Sequence, residues 1–212
     1  RGDGPLDVAA IEYIDDRALA HVPDEAFARA RVGRPHPPAV LVLVQIELPD
    51  EESPALERLG RLLEACGVAG DPVVARPGDE GAGRMMELRE AIPAAINARV
   101  AAAKARVHPD IEKTAGDFIV PFERLGESLA LYRETFEREG LDYAVWGHLS
   151  DGNLHPNVVP RSLDEMHRGR RALIEIARGV TALGGAPLAE HGVGRSPLKQ
   201  QLLRELYGEG GI

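Results

Sequence analysis

The chain reads as an α+β domain, on three observations. Short Val- and Ile-rich runs are interspersed with longer stretches of helical apolar spacing, and the turn dipeptide Asp151-Gly152 joins two apolar runs directly. The order is strand, helix, strand, long helices, strand, hairpin, helix, rather than a strict alternation. The simplest architecture is a ferredoxin-like antiparallel or mixed sheet with helices packed on one face, split into two βαβ-like halves. With 212 residues, 44% of them hydrophobic, the chain can build one large domain or two lobes sharing a core. Aromatics make up only 4%, so that core must be mainly aliphatic.

Taken in order, Pro5 to His21 carries Leu6, Ala9, Ala10, Tyr13 and Ile14 at the spacing of an amphipathic helix. A turn-rich connection from Val22 to Pro38 follows. Ala39 to Leu48, AVLVLVQIEL, predicts a well-covered strand. Ser53 as N-cap and Pro54 at the first helical position open a helix that runs to about Cys66 and stops at Gly67. Asp71 to Arg76 is a short strand candidate. Asp79 to Val107 is helical, with Pro93 expected to break or kink it into two pieces. Gly116 to Val120 is a strand ended by Pro121, and Phe122 to Glu139 is a helix with Leu125, Leu129, Tyr132 and Phe136 on one face, closed by Gly140. Tyr143 to Leu149 and Leu154 to Val159 form the hairpin. Ser162 and Glu165 make a capping box for a helix reaching Gly184-Gly185, and Pro197 to Tyr207 forms the last one.

A formal net charge of -9 argues against a general nucleic-acid surface, which needs a basic patch. The Arg-rich segment Arg161 to Arg178 alternates its charges with apolar positions at helical spacing and reads as a solvated helix face. The single cysteine, Cys66, excludes an internal disulfide and falls on an apolar helix stripe, the place of a buried structural thiol. No run has the apolar length of a membrane span and the start has no signal-peptide pattern, so a soluble, cytoplasmic protein is expected. The opening Arg1-Gly2-Asp3 carries no functional weight. Gly78 to Gly83, GDEGAG, lacks the Lys-Ser/Thr of a phosphate loop, and no nucleotide site is expected in this chain.

The chemistry concentrates in AVWGHLSDGNLHPNVV, Ala144 to Val159. If Asp151-Gly152 forms a two-residue loop, His148 pairs with His155 and Trp146 with Asn157, and all four side chains share one face. Directly opposed residues have Cβ atoms roughly 4.5–5.5 Å apart, close enough for two imidazoles to share one metal ion. Such a pair can equally hydrogen-bond to backbone or to each other. Pro156 removes a ladder donor and suits an edge or interrupted strand. A second stretch, GGAPLAEHGVGRS from Gly184 to Ser196, places Glu190 beside His191. Gly192 and Gly194 allow backbone conformations that turn both side chains into one cavity. Two hairpin histidines with Glu190 would make a His₂Glu set, the three-ligand pattern of catalytic zinc sites with a position left open. The plain alternative is a Gly-rich helix exit with a surface Glu-His pair.

Together, GHLSDGNLHPN and AEHGVG resemble the two signature motifs of the C-terminal domain of the FAD-linked oxidases, a family of flavin-dependent 2-hydroxyacid dehydrogenases. LREAIP and the Asp117-to-Pro121 segment fit the same order, so the resemblance covers nearly the whole chain as one domain, 1–212. It implies that His148 and His155 are the histidine ligands of a divalent metal, zinc first among the choices, and that Glu190 is the carboxylate ligand. It implies further that His191 is the active-site base, that Asn157 lines the substrate pocket and that Arg89 grips the substrate carboxylate. The planar guanidinium fork suits that last role, although an ordinary helix-surface salt bridge is its alternative. Ser150 stands where many members have Gly, and Ala115 where many have Lys, with Lys113 nearby; the family's Asn-Pro-Gly ending does not follow Ile212.

The resemblance implies as partners a small 2-hydroxyacid, an upstream FAD-binding domain not included in this chain, and an unidentified electron acceptor. A homodimer and a peripheral place at a membrane are compatible with it. The chain alone should be colourless and inactive. Two other classes fit the same residues: a flavin-free metal-dependent hydrolase and a non-catalytic ferredoxin-like binding module.

Overall fold

Along Tyr143–His148 the side chains alternate between two buried surroundings: Tyr143 and Val145 join one apolar cluster, Ala144 and Trp146 another. A strand covered on both sides needs helices on both sides. The computed structural model describes residues 6–37, 39–48, 54–68, 72–76, 78–208 and 210. In chain order its elements are β1 (Val8–Ile14), α1 (Asp16–His21), α2 (Asp24–Ala30), β2 (Leu41–Ile46), α3 (Ala55–Ala65), α4 (Glu80–Arg106), β3 (Thr114–Ala115), β4 (Phe118–Ile119), α5 (Leu125–Arg138), β5 (Tyr143–His148), β6 (Asn153–Val158), α6 (Leu163–Ala182) and α7 (Pro197–Tyr207). The strands form a six-stranded antiparallel sheet in the order β2-β1-β5-β6-β3, with β4 also on β6.

The α+β class and the antiparallel sheet agree with the sequence, but the helices occupy both faces rather than one. Tyr132 and Phe136 of α5 and Leu173, Ile176 and Val180 of α6 pack with Val145, Leu154 and Val158. On the other side, Ala18 and Leu19 of α1, Phe27 of α2 and Leu88, Ile92 and Ile96 of α4 pack on Ile14 and Trp146. The aliphatic character expected of the core holds on both faces.

Asp15 fastens α1 to the sheet. Its Oδ1 accepts the Ala18 N–H at 2.7 Å as the helix N-cap, and its Oδ2 accepts the Val145 N–H at 3.0 Å. Its own N–H donates to the Val145 carbonyl, also at 3.0 Å.

Several elements differ from the sequence reading. Pro5 to His21 is not one helix: Val8–Ile14 is a strand gripped by β2 on one edge and β5 on the other, and only Asp16–His21 is helical. Pairing on both edges overrides a local periodicity that Ile11 already weakened. The connection after Val22 contains α2, whose signal was Pro23-Asp24-Glu25 ahead of the buried Ala26, Phe27 and Ala30. β2 is an edge strand rather than a well-covered one, with Val42 exposed. Residues 72–76 form no strand. α4 runs unbroken through Pro93. The proline forgoes one helical hydrogen bond, but Leu88, Ile92, Ile96 and Val100 are buried on either side of it and carry the helix across. Cys66 is exposed, because α3 buries only Ala55 and leaves its apolar stripe open. The expectations at Arg1 to Asp3, at Ser53 and at Asp71 lie outside the described residues.

The helices from Leu125 onward follow the sequence closely. The Ser162 hydroxyl accepts the Glu165 N–H at 3.1 Å, and Gly140 adopts φ 61° after α5. No described helix is long and apolar enough to cross a membrane.

Candidate functional site

The hairpin forms, with a different loop. Leu149–Asp151 makes a short 3₁₀ turn and Gly152 takes φ 77°, so His148 pairs with Asn153 and Trp146 with His155. Relative to the two-residue loop, β6 has slid by two residues. A slide of one would have turned every side chain over, whereas a slide of two preserves the faces. Trp146, His148, His155 and Asn157 therefore remain on one side of the sheet, and the histidines meet diagonally instead of directly, with ring centroids 5.6 Å apart and planes at 90°.

Gly147 makes room for this. It has φ 149°, and a Cβ there would lie 2.5 Å from the Asn153 carbonyl oxygen and 3.2 Å from Cδ2 of the His155 ring. Pro156 lies inside the sheet, not at an edge, because its missing donor costs the ladder nothing. Val145, its neighbour on β5, directs both backbone groups to Asp15. On the opposite side the Pro156 carbonyl accepts the Gly116 N–H at 2.8 Å, and the absent N–H falls at the break between β3 and β4.

The Glu190–His191 loop closes over the hairpin. Asp117, 1% exposed, accepts the His191 N–H at 2.7 Å and the Glu190 N–H at 3.2 Å. Ala186 pairs with Ile119 just before it, and Gly192 and Gly194 take φ 65° and 52° just after. Burial alone would push the Asp117 carboxyl up, but the two backbone donors, with His191 and Lys199 close by, hold it below the ordinary carboxylate value.

Three imidazoles converge on one carboxylate oxygen. Glu190 Oε1 lies 3.0 Å from His155 Nε2, 3.2 Å from His191 Nε2 and 3.3 Å from His148 Nε2. His191 stacks on His155 with centroids 4.6 Å apart. Asp117, His155, Glu190 and His191 offer ligand atoms all within 4.8 Å of one another. The sequence brought His148 into the ligand set; the structure places His191 just as near to Glu190.

The donor set suits a cation. His155 is 5% exposed, and burial, then the neighbouring His191, push its pKa down to about 4, so at neutral pH it is an uncharged imidazole. Such a ring has one N–H. Its Nε2 faces Glu190 at 3.0 Å and its Nδ1 faces Asp117 at 3.7 Å, where it has no hydrogen-bond partner. Whichever nitrogen carries the proton, the other sets a bare lone pair against a carboxylate. A metal ion held by Nε2 would remove that conflict and leave Nδ1 to donate toward Asp117.

Arg89, on α4, donates from Nε to Glu12 at 3.3 Å and from Nη1 to Glu90 at 2.7 Å. Glu12 in turn lies 2.6 Å from His148 Nδ1, which joins the arginine to the histidine cluster. Asn157 is buried, donates to the His155 carbonyl at 2.6 Å and leaves its Oδ1 unpartnered. Lys113, whose pKa burial lowers, stands with Nζ 5.5 Å from the ring of Trp146, the cross-strand partner of His155. Sequence reading missed Glu12 and the role of Asp117.

A family model described as "FAD linked oxidases, C-terminal domain" matches residues 3–212. The "Glycolate oxidase subunit GlcD" of Bacillus subtilis (strain 168) is 27% identical over 203 residues, 93% of this chain and 40% of that protein. The "Probable D-lactate dehydrogenase, mitochondrial" of Danio rerio is 30% identical over 104 residues, 48% of this chain and 20% of that protein. The "D-2-hydroxyglutarate dehydrogenase" of Pseudomonas putida is 34% identical over 111 residues, 50% of this chain and 10% of that protein. The chain thus spans well under half the length of each of these relatives.

Proposed function

The chain belongs to the family of FAD linked oxidases, C-terminal domain, and from that membership we propose that it is the substrate- and metal-binding domain of a flavoprotein oxidising a small D-2-hydroxyacid to the 2-oxoacid. The observation that carries the reading is the convergence of His148, His155 and His191 on Glu190 Oε1. Names of relatives point to glycolate, D-lactate and D-2-hydroxyglutarate as the substrate class. FAD belongs to a partner domain, and a separate acceptor reoxidises it.

His148, His155 and Glu190 hold the metal, zinc first among the choices, and His191 is the base. Distance alone does not divide the histidines between these roles. His148 has its Nδ1 engaged by Glu12 at 2.6 Å, the carboxylate–histidine arrangement that supports a ligand, whereas the His191 side chain is 54% exposed and open to a substrate. When bound, the metal supplies Lewis-acid polarisation of a substrate oxygen, and the flavin supplies the electron acceptor. His191 takes the substrate hydroxyl proton at a ring nitrogen, work for which an imidazole is suited near neutral pH. Arg89 keeps its Nε on Glu12 and turns its terminal nitrogens from Glu90 to the substrate carboxylate, and Asn157, with an open carbonyl oxygen, lines the pocket.

The test is zinc titration of the purified chain, together with oxidation assays of the full-length flavoprotein on the three hydroxyacids. Stoichiometric zinc, no bound flavin in the isolated chain, and turnover lost in His191→Ala with zinc retained are expected. Stoichiometric flavin absorbance in the isolated chain, or unchanged turnover in His191→Ala, overturns the assignment.

A further inference from the structure

Glu12 reaches two working side chains at once. It sits on β1 directly across from His148 of β5, and its side chain is only 12% exposed. Oε1 lies 2.6 Å from His148 Nδ1, and Oε2 accepts from Arg89 Nε at 3.3 Å. Arg89 can only donate, so Glu12 stands as the shared acceptor between the guanidinium and the His148 ring. The hydrogen in the short contact to His148 must therefore sit on Nδ1. Nε2 is then the ring nitrogen that faces Glu190 Oε1, the point where His155 and His191 also converge.

We propose that Glu12 is a positioning residue that holds His148 in the Nδ1–H form, with Nε2 offered to the metal, and fixes Arg89 in the same act. The proposal rests on the metal-binding reading above and extends it to a strand, β1, that contributes no ligand. A carboxylate behind a ligating histidine sets the tautomer and ring orientation and raises ligand basicity. Because the second oxygen is on Arg89, the spacing between the metal ligand and the carboxylate-gripping arginine is set through one side chain. Rotation of Glu12 would disturb both.

Two variants separate these roles. Glu12→Ala removes both contacts; Glu12→Gln retains an oxygen that accepts from Nδ1–H but withdraws the charge from Arg89. In the metal-free chain, ¹⁵N NMR of the imidazoles is expected to show His148 protonated at Nδ1 in the parent and in Glu12→Gln, and a tautomer mixture in Glu12→Ala. Zinc affinity should fall roughly 10–100-fold in Glu12→Ala, with a smaller loss in Glu12→Gln, the range typical of removing an outer partner of a ligand. In the full-length flavoprotein, Glu12→Gln should raise KM for the hydroxyacid more than it lowers kcat. Circular dichroism checks that each variant is folded. A parent chain that binds zinc, with Glu12→Ala matching it in affinity and in His148 tautomer, overturns the role of Glu12 while leaving the metal reading intact. A folded parent chain that binds no zinc overturns the metal reading itself, and with it the role of Glu12 toward a metal.

Discussion

Asp117 accepts the backbone N–H of His191 at 2.7 Å, so a buried carboxylate in the break between β3 and β4 holds the loop that carries Glu190 and His191. Replacing it by Ala removes a charged acceptor from two backbone donors at a site with little access to water. We predict a loss of about 1–3 kcal/mol of stability, read by urea denaturation, together with weaker zinc binding. A variant with parental stability and affinity would show that the loop is placed by other contacts.

Glu190→Gln should weaken zinc binding by more than the roughly 10–100-fold expected for an outer residue, because a ligand charge is lost outright. Isothermal titration measures this directly. Full affinity in the variant would remove Glu190 from the ligand set and leave Asp117, His155 and His191 as the remaining cluster.

Gly147→Ala places a methyl group 2.5 Å from the Asn153 carbonyl at a φ of 149°. Both effects oppose the native backbone, and the expected destabilisation exceeds about 1 kcal/mol. The urea midpoint should fall, and the His148 and His155 imidazole resonances should shift, since the hairpin can relieve the clash only by moving those strands. An unchanged midpoint would mean that the strand crossing tolerates a side chain.

Burial pushes the Asp15 carboxyl up to about 7, against the pull of the Ala18 and Val145 N–H donors. A folded state that holds this proton more tightly than the unfolded chain gains stability at low pH. The gain is fully present below the unfolded value near ~4 and lost as pH rises to about 7, at up to ~1.4 kcal/mol per pH unit. Asp15→Asn cannot titrate. The stability difference between parent and variant should therefore favour the parent more at pH 5 than at pH 8. A difference independent of pH would show that the two backbone donors keep Asp15 ionised.

Much of the candidate site was legible because its histidines and Glu190 lie in two short motifs. The shared face of His148 and His155 survived an incorrect loop, since a two-residue slide leaves side-chain parity unchanged. Glu12 was not legible for a specific reason. With Leu6, Ala9, Tyr13 and Ile14 read as a helix stripe, Glu12 had no strand partner, and only the pairing of β1 with β5 sets it across from His148. Asp117 was seen as part of a strand, but its partners lie 73 and 74 residues away, and nothing local marks a carboxylate as the anchor of a distant loop. The exposure of Cys66 and the unbroken α4 are likewise matters of which neighbours arrive, not of spacing.

The two halves of the site differ in how far apart in the chain their parts lie. His148 and His155 meet through a turn of a few residues, and that hairpin closes locally, on the order of microseconds. Glu190 and His191 lie beyond α6 and are held to the sheet beside the Ala186–Ile119 bridge, a long-range closure that costs more chain entropy. We therefore expect refolding monitored by zinc capture to lag behind strand formation monitored by circular dichroism in stopped flow, so that tight zinc binding marks the last event of folding; coincident rates would contradict this order.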